Sequence, residues 1–396
     1  MSWPMVALSS IAEVVTGNTP SKTDDSFFGG EIPFVTPGEL DLGYVESAKQ
    51  TLTEKGAEVV ARLIPKNSVM VCCIGSLGKV GISSVPVVTN QQINSLVVDE
   101  DLASPLYVYY FCKTLKNVLV DMAPKTTVSI VNKTKFSALE IPLPPLETQK
   151  QIAAVLEKAD QLRRDCQQME QELNSLAQSV FIDMFGDPVT NPMGWEMATL
   201  GSLCEKITDG THKTPTYMNE GVKFLSAKNI SSGEIDWVNT KYISMEEHES
   251  LIKRCNPEVG DVLLAKSGTI GIAAMVNKDI EFSLFESAAL IKYKRSLLSA
   301  EYVLALLNSE SIKQLYRRNT KGNSIKHLHL IDIRSLEVPV PSMDIQKEFE
   351  GKIKSLHRLR NDNRSLAVDN DMNFNALMQK AFKGELNLKP SKTKAA

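Results

Sequence analysis

Residue types capable of chemistry are present in this chain, but almost never at the spacing that catalysis needs. Of the five histidines, His327 and His329 sit two apart, without the i, i+4 spacing or the glutamate of a zinc-protease helix, and read as surface residues. No G-x-S-x-G elbow and no G-x-G-x-x-G dinucleotide loop occurs. Gly75-Ser76-Leu77-Gly78-Lys79 has two residues between its first glycine and Gly-Lys, where a phosphate loop needs four; it reads as a tight hairpin turn or a DNA-backbone contact. Asn191-Pro192-Met193-Gly194 lacks the second proline and the ring of an amino-methyltransferase box. The six cysteines form no C-x-x-C pair and read as buried free thiols, so no metal site is expected. The chain reads as non-catalytic.

Groups suited to binding are better represented. Asn90, Gln91 and Gln92, Thr126 and Thr127, and Lys228 with Asn229 carry amides, hydroxyls and a cation of the kind that reads base edges. The net charge of −3 does not advertise nucleic acid, so any such surface must be local. Two stretches qualify: Lys113 to Lys135, with five lysines against Asp121, and Lys313 to Lys326, with Lys313, Arg317, Arg318, Lys321 and Lys326 and no acid. Either alone could be a solvated face; both fall in the same region of a repeat, and phosphate neutralisation requires such cations. The contact candidates are Lys125, Thr126 and Thr127 in the first copy and Arg317, Arg318, Lys321, Asn323 and Ser324 in the second.

That repeat organises the chain. Leu139-Glu140-Ile141-Pro142-Leu143-Pro144 returns about 197 residues later as Leu336-Glu337-Val338-Pro339-Val340-Pro341, and Gln149-Lys150 returns as Gln346-Lys347. Trp3 and Leu8 are echoed by Trp195 and Leu200, and Gly75 to Gly78 by Gly268-Thr269-Ile270-Gly271, at offsets of 192 and 193. Offsets that grow along the chain describe two diverged domains rather than a solenoid. With 396 residues and 43% apolar content, each half can bury a core.

After each proline motif comes a heptad. Ile152, Ala159, Cys166, Leu173 and Val180 form one set and Val155, Leu162, Met169 and Leu176 a second; Phe349, Leu356, Leu359, Leu366 and Leu377 continue the period, interrupted by Asn363, Asn370 and Asn373. Expected at the contact between the two helices are Ile152, Val155, Ala159, Leu162, Met169, Leu173, Leu176, Phe349, Leu356, Leu359 and Leu366. Glu147 to Phe185 would span roughly 58 Å at about 1.5 Å per residue. Between the helices, Val69–Ile74, Ile93–Val98, Asp261–Lys266 and Ala288–Tyr293 read as strands, and Leu106–Leu119 and Ala300–Tyr316 as helices.

The expected fold class is α+β: two mixed α/β globular domains, 1–145 and 187–341, separated by two long antiparallel coiled-coil helices, 146–186 and 342–386, with an internal pseudo-two-fold and a tail at 387–396. No apolar run approaches the roughly 20 residues of a membrane helix, and no charged-then-apolar segment follows Met1, so a cytoplasmic protein without membrane association is expected.

In order and duplication these motifs resemble the specificity subunits of type I restriction-modification systems. The resemblance rests on Trp3 and Leu8, Pro142-Leu143-Pro144-Pro145-Leu146 with Gln149, Phe185-Gly186-Asp187-Pro188 before Gly194-Trp195-Glu196, and the closing Ala381-Phe382-Lys383-Gly384-Glu385-Leu386. Asp183-Met184-Phe185-Gly186-Asp187 departs from that fuller closing form. The resemblance implies two target recognition domains, each reading half of a bipartite double-stranded DNA sequence, with the helix pair as ruler. It implies no catalysis by this chain and no cofactor bound to it. Two modification subunits, which methylate adenine at N6, would dock on the helices, and restriction subunits would join them; S-adenosylmethionine, Mg2+ and ATP belong to those partners. Methylation takes the adenine out of the stack, so the subunit would also stabilise bent or opened DNA. Because the interiors barely repeat in sequence, an asymmetric target is expected. A coiled-coil scaffold without sequence-specific binding is the alternative from another class.

Overall fold

Four apolar residues in a row, Val69-Met70-Val71-Cys72, make a strand covered on both faces, and all four are buried. Ala288–Tyr293 does the same in the second half, where only Lys292 is less than fully buried. The computed structural model describes residues 3–60, 62–124, 128–319 and 327–388. The chain divides into two units, Met1–Gln167 with Ser365–Ala396, and Gln168–Arg364, so the division falls inside both long helices.

In the first unit, Ala12–Thr16, Ile93–Val98, Val69–Cys72, Val80–Ser83 and Tyr44–Val45 form a sheet in that order, the last pair parallel and the rest antiparallel. A second sheet runs Gln50–Leu52, Phe28–Val35, Val88–Thr89. The second unit repeats the order with Cys204–Asp209, Ala288–Tyr293, Val262–Ala265 and Ala273–Met275, and with Lys241–Ile243, Val222–Leu225 and Phe282–Leu284. Strand order therefore recurs where the sequence does not. The expected single helices are each two: Pro105–Thr114 with Lys116–Met122, and Ala300–Asn308 with Glu310–Asn319. Ser309 causes the second break, its backbone being extended at φ −62°, ψ 144°.

The proline motifs are paired and clamped alike in both units. Glu140–Pro142 pairs antiparallel with Met5–Ala7, and Glu337–Pro339 with Met197–Thr199. The Tyr107 hydroxyl donates to the Pro142 carbonyl at 2.6 Å, and Tyr302 to that of Pro339 at 2.7 Å. Gln149, fully buried, accepts from the Ser104 N–H at 2.9 Å and donates to the carbonyls of Pro144 and Leu102 at 2.8 and 3.3 Å. Gln346 makes the same three bonds, to Ser299, Pro341 and Leu297.

The long helices are Leu146–Phe185 and Met343–Lys383. In the first unit Arg163 donates to Asp371 at 2.5 Å and Asn370 to the Cys166 sulfur at 3.4 Å. In the second, Arg364 meets Glu170 at 2.9 Å and Phe349 meets Phe185 at 5.2 Å between ring centres. In each, rising numbers on one helix meet falling numbers on the other, so the segments run antiparallel.

The phase of the heptad differs from expectation. Ile152 and Phe349 are buried, and Ala159, Leu173 and Leu356 half-buried. Val155, Leu162, Met169, Leu176, Leu359 and Leu366, expected in the seam, are instead 37% to 56% exposed. The inner second position lies four residues after Ile152, not three, at Leu156 and then at Arg163 and Glu170. Asn363, taken as an interruption, is itself buried. Both spacings put neighbours on one helix face, and charges in the middle of the inner stripe disguise it.

All six cysteines are buried and free. Desolvation pushes the Cys73 thiol up to about 12 and Cys112 higher, which leaves both unreactive. Among the described residues no helix is long and apolar enough to cross a membrane.

Candidate nucleic-acid interface

One edge of the main sheet gathers the same four segments in each unit. In the first, the Asn18 N–H donates to the Thr89 carbonyl (2.9 Å), Cys73 to Gln92 (2.8 Å), Gly75 to Ser129 (2.9 Å) and Val131 to Cys73 (2.9 Å). In the second, Thr211 donates to Leu284 (2.9 Å), Glu286 to Thr211 (3.0 Å), Lys266 to Ser287 (2.8 Å) and Leu328 to Lys266 (2.8 Å). A Cβ on Gly17 would stand 2.2 Å from the Asn90 oxygen, and one on Gly210 1.9 Å from the Leu284 oxygen, so this backbone approach admits glycine alone. Gly75, Gly78, Gly268 and Gly271 all have positive φ, and the Gly78 N–H is spent on the Cys72 carbonyl and that of Gly271 on Ala265. These turns are hairpins, and their closing N–H groups are not offered to phosphate.

At equivalent positions on this edge the side chains are of different chemistry. In the first unit the Thr16 hydroxyl donates to Asn94 at 2.7 Å and Thr19 to Gln91 at 2.6 Å, both neutral pairs. In the second, Asp209 ends the corresponding strand and holds Lys266 at 2.6 Å and Arg254 at 2.5 Å, while His212 lies 2.7 Å from Glu286. Burial would raise the Asp209 carboxyl, but the Lys266 hydrogen bond and the charges of Lys266, His212 and Arg254 outweigh it, leaving it below the ordinary carboxylate value. The His327 imidazole beside this cluster is lowered by burial and by Lys266.

The residues singled out from sequence divide sharply. Asn90 is buried, its amide donating to Gln92 and its oxygen accepting the Gln92 N–H, while Gln92 donates to the Ile74 carbonyl. Asn229 is buried as the far side of a capping box, accepting from the Ser226 N–H at 2.9 Å and donating to Asn239 at 3.0 Å. These three amides hold loops together, and the expectation that they face base edges is corrected accordingly. Gln91 and Lys228 are exposed. Arg317 and Arg318 are exposed in the last turn of Glu310–Asn319, with Arg317 2.8 Å from Glu310. Lys125, Thr126, Thr127, Lys321, Asn323 and Ser324 lie outside the described residues.

Sequence reasoning missed a cleft of about 590 Å³ in the second unit, beside the same edge. Lys228, Lys241, Tyr217, Thr269 and Ser287 line it. The Lys241 amine sits 3.7 Å from the centre of the Tyr217 ring, and cations interleaved with an aromatic face suit phosphate and base together. Lys241-Tyr242 beside Lys228 was the available signal, but no spacing rule singles it out.

The family model of the type I restriction modification DNA specificity domain matches residues 2–175 and again residues 192–364. The chain belongs to this family, that of the specificity subunits of type I restriction-modification systems. It is 25% identical to the MjaIX specificity subunit of Methanocaldococcus jannaschii, over 98% of this chain and 94% of that one. It is 21% identical to the EcoBI specificity subunit of Escherichia coli, over 96% and 80%. Among solved structures, the type I S subunit from M. genitalium shares its fold with a TM-score of 0.57 at 15% identity, covering 96% of each chain. The general role of a specificity subunit is DNA target recognition, and the edge described above is where this chain offers varied polar chemistry.

The charged edge has a measurable cost when broken. Lys266 and Asp209 are each about 2% exposed, so Lys266→Met removes the buried cation and leaves the carboxylate only its exposed partners Arg254 and His212, and it is expected to destabilise the protein by about 2 kcal/mol near neutral pH. Because Asp209 is depressed in the folded state, its contribution is complete above the unfolded value near 3.8 and is lost as pH falls through the lower folded value. The gap between the thermal melts of the two proteins should therefore narrow as the pH is taken from 3.8 downward through the lower folded value; a gap that stays constant with pH would refute the assignment.

Proposed function

We propose that this chain is the non-catalytic DNA-specificity subunit of a type I restriction-modification enzyme, in which each unit reads one half of an asymmetric bipartite double-stranded target. The antiparallel helix pair sets the gap between the halves and docks two adenine-N6 modification subunits, to which restriction subunits are added. The observation that carries this reading is the shared edge with unlike side chains, Thr19 and Gln91 in one unit against His212 and Glu286 in the other. A Gln91 amide can both donate and accept, as the adenine edge requires, whereas the Glu286 carboxylate only accepts, as from a cytosine amine. Two readers of one topology and unlike chemistry call for two unlike half-sites. In the second unit Arg254, Lys228 and Lys241 beside the edge would supply a sequence-independent share of affinity.

Co-expression with the modification subunit encoded beside it, followed by adenine methylome sequencing, tests the proposal. The expected result is one non-palindromic motif in two parts with an unspecified middle. A continuous or palindromic motif would overturn it, and so would the absence of any motif, the outcome for a scaffold.

A further inference from the structure

A reader that sets its own register on DNA must be held at a fixed angle to the helices that serve as ruler, and in the second unit one carboxylate adds a directional tie beside the shared apolar core. Glu234 closes the short turn Ser231-Ser232-Gly233 that follows the Ala227–Ile230 helical turn, in the recognition domain itself. Its two oxygens accept from Arg364 at 3.0 and 2.9 Å, and one also accepts from Arg360. Both arginines belong to the second long helix and share a further anion on the first: Glu170 lies 3.1 Å from Arg360 and 2.9 Å from Arg364. Two cations between two anions, with one Arg364 nitrogen shared by both Glu234 oxygens, make charge-assisted hydrogen bonds rather than a diffuse attraction. Burial would raise the Glu234 carboxyl, yet the Arg364 bond and the two guanidinium charges bring it below its ordinary value.

A cleft of about 780 Å³ opens between this part of the domain and the helices, lined by Glu234, Asn277 and Asn308 from the domain and by Asn174, Gln178 and Arg360 from the helices. The first unit is fastened differently. There the Tyr44 hydroxyl donates to Glu157 at 2.6 Å on the first long helix, and Arg164 lies over the Tyr44 ring at 5.5 Å. Beside the apolar core that each domain shares with the helices, the first unit thus adds a phenol and the Lys113–Asp160 pair, and the second adds the Glu234 cluster.

We propose that Glu234, through Arg360 and Arg364, is a positioning residue that fixes the second recognition domain on the helix pair and so restricts the gap accepted between the two half-sites. It reads no base itself. The inference rests on the function proposed above, and it predicts that the selectivity for gap length, unlike the bases read, depends on this ion cluster. Because solvent reaches Glu234 and Arg364, salt weakens the tie, so the restriction relaxes as ionic strength rises.

The test uses the full chain assembled with its modification subunits and a DNA library carrying the methylome-defined half-sites with the gap varied by one and two base pairs in each direction. The wild-type assembly is expected to methylate one gap. Glu234→Ala is expected to methylate neighbouring gaps as well, cutting the preference for the native gap about two- to fivefold, the range of a solvent-reached ion pair, with both half-site sequences unchanged. Loss of activity in equal proportion on every gap, or an unchanged preference, would overturn the proposal, because a merely structural contact has no reason to discriminate gaps. If Glu234→Ala gives no folded assembly, Glu234→Gln, which keeps the side-chain volume, is read by the same criterion. A wild-type assembly with no bipartite target would instead defeat the underlying function, so the two failures are distinguishable.

Discussion

Gln149→Ala is expected to lower the melting temperature by roughly 10 °C, from a loss of about 3–5 kcal/mol spread over a unit of this size. The side chain has no exposed surface, and its three bonds satisfy one N–H and two carbonyls where a helix turn, a loop and the proline motif converge. Alanine would leave all three backbone groups without a partner and open a void as well, and a buried group that loses its partner costs about 1–3 kcal/mol. Gln346→Ala should do the same in the second unit, because Ser299, Leu297 and Pro341 surround Gln346 as Ser104, Leu102 and Pro144 surround Gln149. Gln171→Ala, on an exposed face of the same helix, is the control and should change stability by less than about 0.5 kcal/mol. Scanning calorimetry decides it: melting of Gln149→Ala within a degree or two of the control would mean that the clamp bears no load.

These glutamines were legible as markers and not as clamps. Their spacing from the proline motifs recurs in the sequence, which shows that something is repeated, but two of the three partners of each are backbone groups more than forty residues away along the chain. Strand runs such as Val69–Cys72 and Ala288–Tyr293 could be read because an apolar run has few other uses. The shared strand order of the two units could not, since a sheet accepts many apolar side chains and needs identity only at points such as Gly17 and Gly210. The helix phase failed for a different reason. Arg163 and Glu170 fall outside any apolar pattern, and only the opposite helix, with Asp371 and Arg364, explains why they point inward. Amides misled in the same way: nothing local tells Asn90 and Asn229, which brace turns, from Gln91, which faces outward. Asp209 and Lys266 were invisible as a pair because the fold joins them across 57 positions.

The residues that left the seam carry the second large expectation. Leu162 and Met169 are 48% and 49% exposed on the first long helix, and their counterparts 197 positions on, Leu359 and Leu366, are 56% and 53% exposed on the second. A single exposed leucine needs no explanation, but apolar residues seven apart, at equivalent places on two equivalent helices, form two matching stripes of the kind that a partner covers. Two matching stripes suit two copies of one partner, which is what the proposed docking of modification subunits requires. Placing glutamate at both Leu162 and Met169 would put charge into an apolar contact, at roughly 2–4 kcal/mol per site, enough to weaken association by a thousandfold or more. The expected outcome is that Leu162→Glu with Met169→Glu retains one modification subunit in place of two, measured by native mass spectrometry, and that adding Leu359→Glu with Leu366→Glu retains none. The melting temperature of the isolated chain should barely move, since these positions are already in water. Retention of both copies by the fourfold variant would place the docking surface elsewhere on the chain and return the stripes to ordinary solvated leucines.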